Sequence, residues 1–207
     1  MKASGVINAG GRSTRMQFNK AFAEIGGKPL IEIIINKFEP FFSEIFIVSN
    51  QPELYEKYGY KTYPDIYPGK GPVGGIHTAL HYAHFEQIFM LGCDMPFMDI
   101  RIAEFMLEKL YDKESAVPRI KGYLQPMSAA YSKKCLPRLT YSLETDRLKL
   151  TRLFEELDAE IVEEEELERF GNLDEIFLNV NDQITLQKAA VIAGRAEPLE
   201  NSVKMST

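Results

Sequence analysis

The chain has 207 residues, enough for one large α/β domain and short for two. A hydrophobic share of 45 % and a charged share of 26 % exclude a disordered, collagen-like or coiled-coil chain. The formal net charge of −6 excludes a broad electrostatic footprint for nucleic acid, so an anionic ligand must be held by a local cluster of cations.

In chain order, Ser4 to Asn8 reads as a short buried strand ending at Gly10-Gly11. Pro29 opens a helix running through Phe38, with Leu30, Ile33, Ile34 and Phe38 on one face. Ile45 to Val48 is a second buried strand, followed by a helix around Glu53 to Tyr58 and a weaker strand from Lys61 to Tyr63. Gly75 to Ala83 is helical and Ile88 to Leu91 is another apolar strand. Strand and helix in alternation predict a mostly parallel sheet with helices on both faces.

In the second half, Ala116 to Tyr131 carries Lys121-Gly122 between extended runs and reads as a hairpin. Helices follow at 133–143 and 147–157, a strand at 159–162 and a last helix at 182–193. The glutamates from Glu163 to Glu168 read as a solvated helix or loop face. Without repeats or a linker, a single domain over 1–193 is expected, with a polar tail over 194–207.

Cys93 and Cys135 are too few for a disulfide framework or a zinc site, and point to a reducing compartment. The first residues lack an apolar signal segment, and no apolar run reaches the ~20 residues that span a bilayer. A cytoplasmic protein with no membrane and no nucleic-acid partner is therefore expected.

Three segments carry chemistry. Ala9 to Lys20 follows the first strand directly, with Gly10 and Gly11 able to bring backbone N–H groups close to an anion. Arg12, Arg15 and Lys20 add three positive charges with no acid among them, the chemistry wanted around a triphosphate. The Walker A pattern and Gly-x-Gly-x-x-Gly are both absent.

In the second segment, Met90 to Phe97, an apolar strand delivers Asp94 to its carboxyl end, where ligands bind in open α/β sheets. A carboxylate there suits Mg²⁺; a cap on the next turn is the alternative. Cys93 reads as a packing residue. The third segment, Gly69 to Gly75, is a glycine-rich loop opening a helix, where small residues let a flat ring lie against the backbone. Asp65, just before it, has the acceptors for the N1–H and 2-amino group of guanine, with a plain turn residue as the alternative. His77, His81 and His84 lack the zincin pattern and read as a helix face.

Together, Ala-Gly-Gly-x-Ser-x-Arg-Met with Lys20, Gly71-Pro72-Val73-Gly74-Gly75, Cys93-Asp94-Met95-Pro96-Phe97 and Asn179-Val180-Asn181 resemble the molybdenum-cofactor guanylyltransferase family in residue order. The first motif is shared across sugar-phosphate and isoprenoid nucleotidyltransferases, whereas Cys-Asp-x-Pro-Phe with a late Asn-Val-Asn is more specific. The resemblance implies a Rossmann-like nucleotidyltransferase fold that transfers GMP from GTP to molybdenum-loaded molybdopterin, with Mg²⁺ as cofactor. It implies Asn8, Ala9, Gly10, Gly11, Lys20, Asp65 and Asp94 around the nucleotide, with Arg15, Lys20 and Asp94 catalytic and Asp94 on the metal. Gly74, Gly75, Arg147, Asn179 and Asn181 would fall on the pterin side. Transient contacts with cofactor-supplying and molybdoenzyme-maturation proteins would follow from such a role.

Three positions depart from the family's pattern. Asn8 stands for leucine, Gln17 for glycine, and Asn19 for the aspartate before the lysine. A CTP-using molybdopterin cytidylyltransferase and a non-catalytic nucleotide or cofactor carrier are the alternatives.

Overall fold

The computed structural model describes residues 2–10 and 19–196. Gly11, Arg15 and Gln17, named above, lie outside the described residues, as do the other residues of 11–18 and the tail beyond 196.

The first strand, β1, is Ser4–Asn8. A two-residue pair, β2 (Glu24–Ile25) and β3 (Lys28–Pro29), precedes helix α1 (Leu30–Phe38). Then come β4 (Glu44–Val48), β5 (Thr62–Tyr63), α2 (Gly71–Tyr82), β6 (Gln87–Gly92) and α3 (Ile100–Leu110). The second half holds β7 (Ser115–Ile120), β8 (Tyr123–Leu124), β9 (Ser128–Ser132), α4 (Leu136–Glu144), α5 (Leu150–Glu156) and β10 (Ala159–Val162). Two short helices, α6 (Glu164–Leu167) and α7 (Leu173–Ile176), lead to α8 (Gln183–Ala196).

The main sheet runs in the order β10-β7-β9-β6-β1-β4-β5, with β8 paired to β7. The pairs β1–β4, β1–β6, β4–β5 and β7–β10 are parallel, while β9 lies antiparallel between β6 and β7. This is the expected mixed α/β fold with a mostly parallel sheet.

Alternation along the strands feeds two cores. Ile7, Ile47, Phe89 and Leu91 pack with α1 and α3 on one face, and Val6, Phe46, Val48, Ile88 and Met90 with α2, α4 and α5 on the other. Period-two alternation is what divides side chains between opposite faces of a strand. Gly5 is required for packing. A Cβ there would come within 2.6 Å of Phe42 and 2.8 Å of Phe38.

Several expectations need correction. The helix expected at Glu53 to Tyr58 is two single 3₁₀ turns, Pro52–Leu54 and Glu56–Tyr58, broken at Tyr55 and ended by Gly59 at φ 76°. The glycine-rich segment belongs to a helix from Gly71 onward, because positive φ at Gly69 and Gly71 turns the chain into α2 early. Lys121 and Gly122, at φ 51° and 78°, make the tight β7–β8 turn, but β9 then adds a second partner to β7. The expected helices at 133–143 and 147–157 begin later, at Leu136 and Leu150. Helix α8 runs past the expected boundary at 193. The amphipathic helix α3 was not anticipated. The glutamate run behaves as a solvated face, held by ion pairs from Glu163 to Arg119 at 2.6 Å and from Glu166 to Lys109.

Candidate active site

Strands β1, β4 and β6 end at one edge, with Asn8 flanked by Val48 and Gly92. The chain leaves β1 toward β4 on one side, while β6 lies on the other. Such a switch point opens a crevice beyond the carboxyl ends of the strands. The ladder continues one residue further, with Ala9 N donating to Val48 O at 2.9 Å and Cys93 N to Asn8 O at 2.9 Å. Ala9, Gly10 and Asp94 are thereby fixed at the mouth of the crevice.

Asp94 is the first anchor. Its carbonyl accepts from Val180 N at 2.8 Å, which draws Asn179-Val180-Asn181 to the end of β6. The Lys20 ammonium donates to Asn181 Oδ1 and lies 3.9 Å from Asp94 Oδ2. Three predicted residues from distant parts of the chain therefore converge. Burial pushes the Asp94 carboxyl above its usual range, against the opposing pull of Lys20.

Asn19, the residue before the lysine, caps the 3₁₀ turn Lys20–Phe22. Its Oδ1 accepts from Ala21 N at 3.0 Å, and its Nδ2 donates to the Tyr55 hydroxyl at 3.1 Å. Asn8, the other described departure, accepts from Gly10 N at 3.3 Å, a local bond that leucine cannot make. A Cβ on Gly75 would lie 3.5 Å from Asn8 Oδ1, so helix α2 comes close to the end of β1 at this glycine. Gly74 serves the preceding loop instead, because a Cβ there would come within 3.0 Å of Tyr67 O.

Asp65 stands at a separate position beyond β5. Its Oδ2 accepts from Asn50 Nδ2 at 2.8 Å, and its N–H donates to Asn50 Oδ1 at 2.9 Å. Burial raises the Asp65 carboxyl, and the bond from Asn50 offsets part of that. Sequence reasoning missed Asn50. The available signal was its place just after an apolar strand, two residues past the end of β4.

The predicted pterin-side residues are not all brought together. Asn181 meets Lys20, whereas Asn179 Nδ2 donates to Phe177 O at 3.3 Å. Arg147 is exposed, its guanidinium 5.3 Å from the Tyr141 ring centre. It is linked to the glycine-rich segment through its neighbour Asp146, which pairs with Lys70 at 2.9 Å.

Cys93 is buried, and burial pushes its thiol far up, so it packs rather than reacts. His77 is buried with Nε2 3.2 Å from Thr140 Oγ1, while His84 pairs with Glu44 at 2.6 Å. Among the described residues, no three His, Cys, Asp or Glu side chains group as a metal site. Among the same residues, no helix is long and apolar enough to cross a membrane. A cleft of about 480 Å³ between Lys37, Phe41, Asp99 and Phe170 contains none of the predicted site residues.

A crevice at a switch point, with a lysine and a carboxylate at the strand ends, is the arrangement of an α/β nucleotide-binding protein. The chain matches the MobA-like NTP transferase domain over residues 5–161. A probable molybdenum cofactor guanylyltransferase of Pelotomaculum thermopropionicum is 36 % identical over 93 % of this chain and 94 % of its own. Another, from Peptoclostridium acidaminophilum, is also 36 % identical, over 94 % of this chain and 91 % of its own. The crystal structure of molybdopterin-guanine dinucleotide biosynthesis protein A from Archaeoglobus fulgidus is similar in fold. Its TM-score is 0.83 at 24 % identity, covering 93 % of this chain and 99 % of that one. The chain belongs to the MobA-like nucleotidyltransferase family and is an enzyme of that type. Nucleotidyltransferases of this family use a divalent metal.

Proposed function

We propose that the protein transfers GMP from GTP to molybdenum-loaded molybdopterin, releasing pyrophosphate and forming the molybdopterin guanine dinucleotide. The observation that carries this reading is the convergence of Lys20, Asp94 and Asn181 beyond the strand ends, beside relatives named for that transfer.

The terminal phosphate oxygen of the pterin forms a bond to the α-phosphorus of GTP. The bond from that phosphorus to the bridging oxygen of the β-phosphate breaks in line, and pyrophosphate leaves with the electron pair. The attacking phosphate is already an anion at neutral pH, so no general base is needed. The protein supplies positioning and charge. Lys20, with Arg15, which lies outside the described residues, offsets charge on the phosphates. The backbone around Asn8, Ala9, Gly10 and Gly11 lines the nucleotide.

Asp65, held by Asn50, reads guanine through its remaining acceptor. This edge favours GTP over CTP. Gly74, Gly75, Arg147, Asn179 and Asn181 form the pterin side, with Arg147 as a cation at its rim.

A single carboxylate among phosphate-binding groups fits Mg²⁺, which keeps several waters and takes other oxygens from phosphates. Asp94 is that carboxylate, and the ion held there would neutralise phosphate charge and steady the leaving group. The soft or nitrogen-rich donor set of a zinc centre would not fit these residues.

The experiment is pyrophosphate release with GTP, Mg²⁺ and molybdenum-loaded molybdopterin. Release that requires all three supports the proposal. GTP binding without release would make the protein a carrier, and faster turnover of CTP would make it a cytidylyltransferase.

A further inference from the structure

Tyr55 has no exposed surface, and it occupies the junction of the two 3₁₀ turns after β4. Its backbone is fixed on both sides, with its N–H donating to Pro52 O at 3.0 Å and its carbonyl accepting from Tyr58 N at 3.0 Å. A buried phenol needs a hydrogen-bond partner, and Asn19 Nδ2 supplies one at 3.1 Å. Burial raises the hydroxyl to about 12, so it stays protonated. The Tyr55 ring stacks on Phe22, with centroids 5.4 Å apart and planes 26° from parallel.

Asn19 and Phe22 are the cap and the last residue of the turn that carries Lys20. One buried side chain therefore holds both ends of that turn. Beyond it, the Lys20 ammonium reaches Asn181 Oδ1 and approaches Asp94. We propose that Tyr55 is a positioning residue for Lys20, acting through its hydroxyl on Asn19 and through its ring on Phe22. The proposal rests on the reading of Lys20 as a phosphate clamp.

A lysine is aimed by its backbone. Its long stem has many rotamers, so the direction of the ammonium depends on how firmly its own backbone is set. In this chain Asn19 makes two bonds with opposite ends of one amide. The oxygen caps Ala21 and the nitrogen reaches Tyr55, so the cap cannot rotate away without losing one of them. An aspartate at this position would keep both links, because the Tyr55 hydroxyl can donate to it. An alanine would lose both.

The test is a double-mutant cycle on GTP affinity in Mg²⁺, measured by calorimetric titration for the wild type, Y55F, K20A and Y55F/K20A. Y55F keeps the ring on Phe22 and removes only the hydroxyl. It should weaken GTP binding about threefold to tenfold, and it should add almost nothing in the K20A background, since coupled residues are not additive. N19A should behave in the same way against K20A, and N19D should bind as the wild type does. The N19A cycle decides the matter if Y55F does not fold. Equal losses from Y55F with and without Lys20 would mean a merely structural tyrosine and would overturn the proposal. Unchanged affinity in Y55F would overturn it while leaving the lysine clamp intact. If K20A itself bound GTP as the wild type does, the clamp reading and the proposal would fall together.

Discussion

Asn50 and Asp65 hold each other by two hydrogen bonds that run in opposite directions, at 2.8 and 2.9 Å, across the ends of two neighbouring parallel strands. One bond fixes a carboxylate oxygen and the other fixes the Asp65 backbone, so the second oxygen is held in direction. A base-reading carboxylate needs this, because selectivity depends on an acceptor that the wrong base leaves unpaired.

GTP should therefore bind more tightly than ATP by about 2–4 kcal/mol. Asp65→Asn should remove most of that preference, and Asn50→Ala a smaller part, by leaving the carboxylate unaimed. Calorimetric titration of both nucleotides into the three proteins measures it. Equal affinity for GTP and ATP in the wild type would show that Asp65 does not read the base.

Asp94→Asn should preserve the fold, because the amide is nearly isosteric with the carboxylate. Turnover in Mg²⁺ should drop at least about a hundredfold, ~2.7 kcal/mol of barrier. Activity near normal at low Mg²⁺ would place the metal on another residue. Asn19→Asp, by contrast, should change turnover less than about tenfold, and Lys20→Ala should cost more than either.

Gly5→Ala tests packing apart from chemistry. Its Cβ would enter the van der Waals space of Phe42 and Phe38, at 2.6 and 2.8 Å, with both rings buried against the sheet. Overpacking of this kind costs about 1–3 kcal/mol. Urea unfolding should show the loss, while the GTP affinity of the folded variant stays close to that of the wild type.

Asp99 caps α3, accepting from Arg101 N at 2.9 Å and pairing with the Arg101 guanidinium at 2.5 Å. The bond from the Arg101 side chain is the main reason its carboxyl lies below the ordinary value of 3.8. A carboxyl lowered in the fold stabilises the protein above its unfolded value. That stability is lost as pH falls through the folded one. Asp99→Asn keeps an acceptor but cannot titrate, so the melting-temperature gap from the wild type should be full at pH 6 and should close below about pH 4. A gap that is constant from pH 6 to pH 3 would count against the pairing.

Much of the fold was legible in order and spacing. Three apolar runs gave β1, β4 and β6, because a buried strand is a local pattern of side chains. Asp94 was placed correctly at a strand end for the same reason. The sequence by itself also determined the family, through motifs kept in order from Ala9 to Asn181.

Tertiary structure alone decided which distant residues meet. Lys20 and Asn181 are 161 positions apart and touch because Val180 bonds to the chain just beyond β6. Asn50 meets Asp65 across the ends of β4 and β5, Tyr55 meets Asn19 from the turns after β4, and no period along the chain encodes such pairs. The position of β9 between β6 and β7 was likewise settled by pairing, since a hairpin signal names neighbours in sequence and says nothing of a second partner. Local patterns set what each segment becomes, and long-range hydrogen bonds and burial set which segments lie side by side.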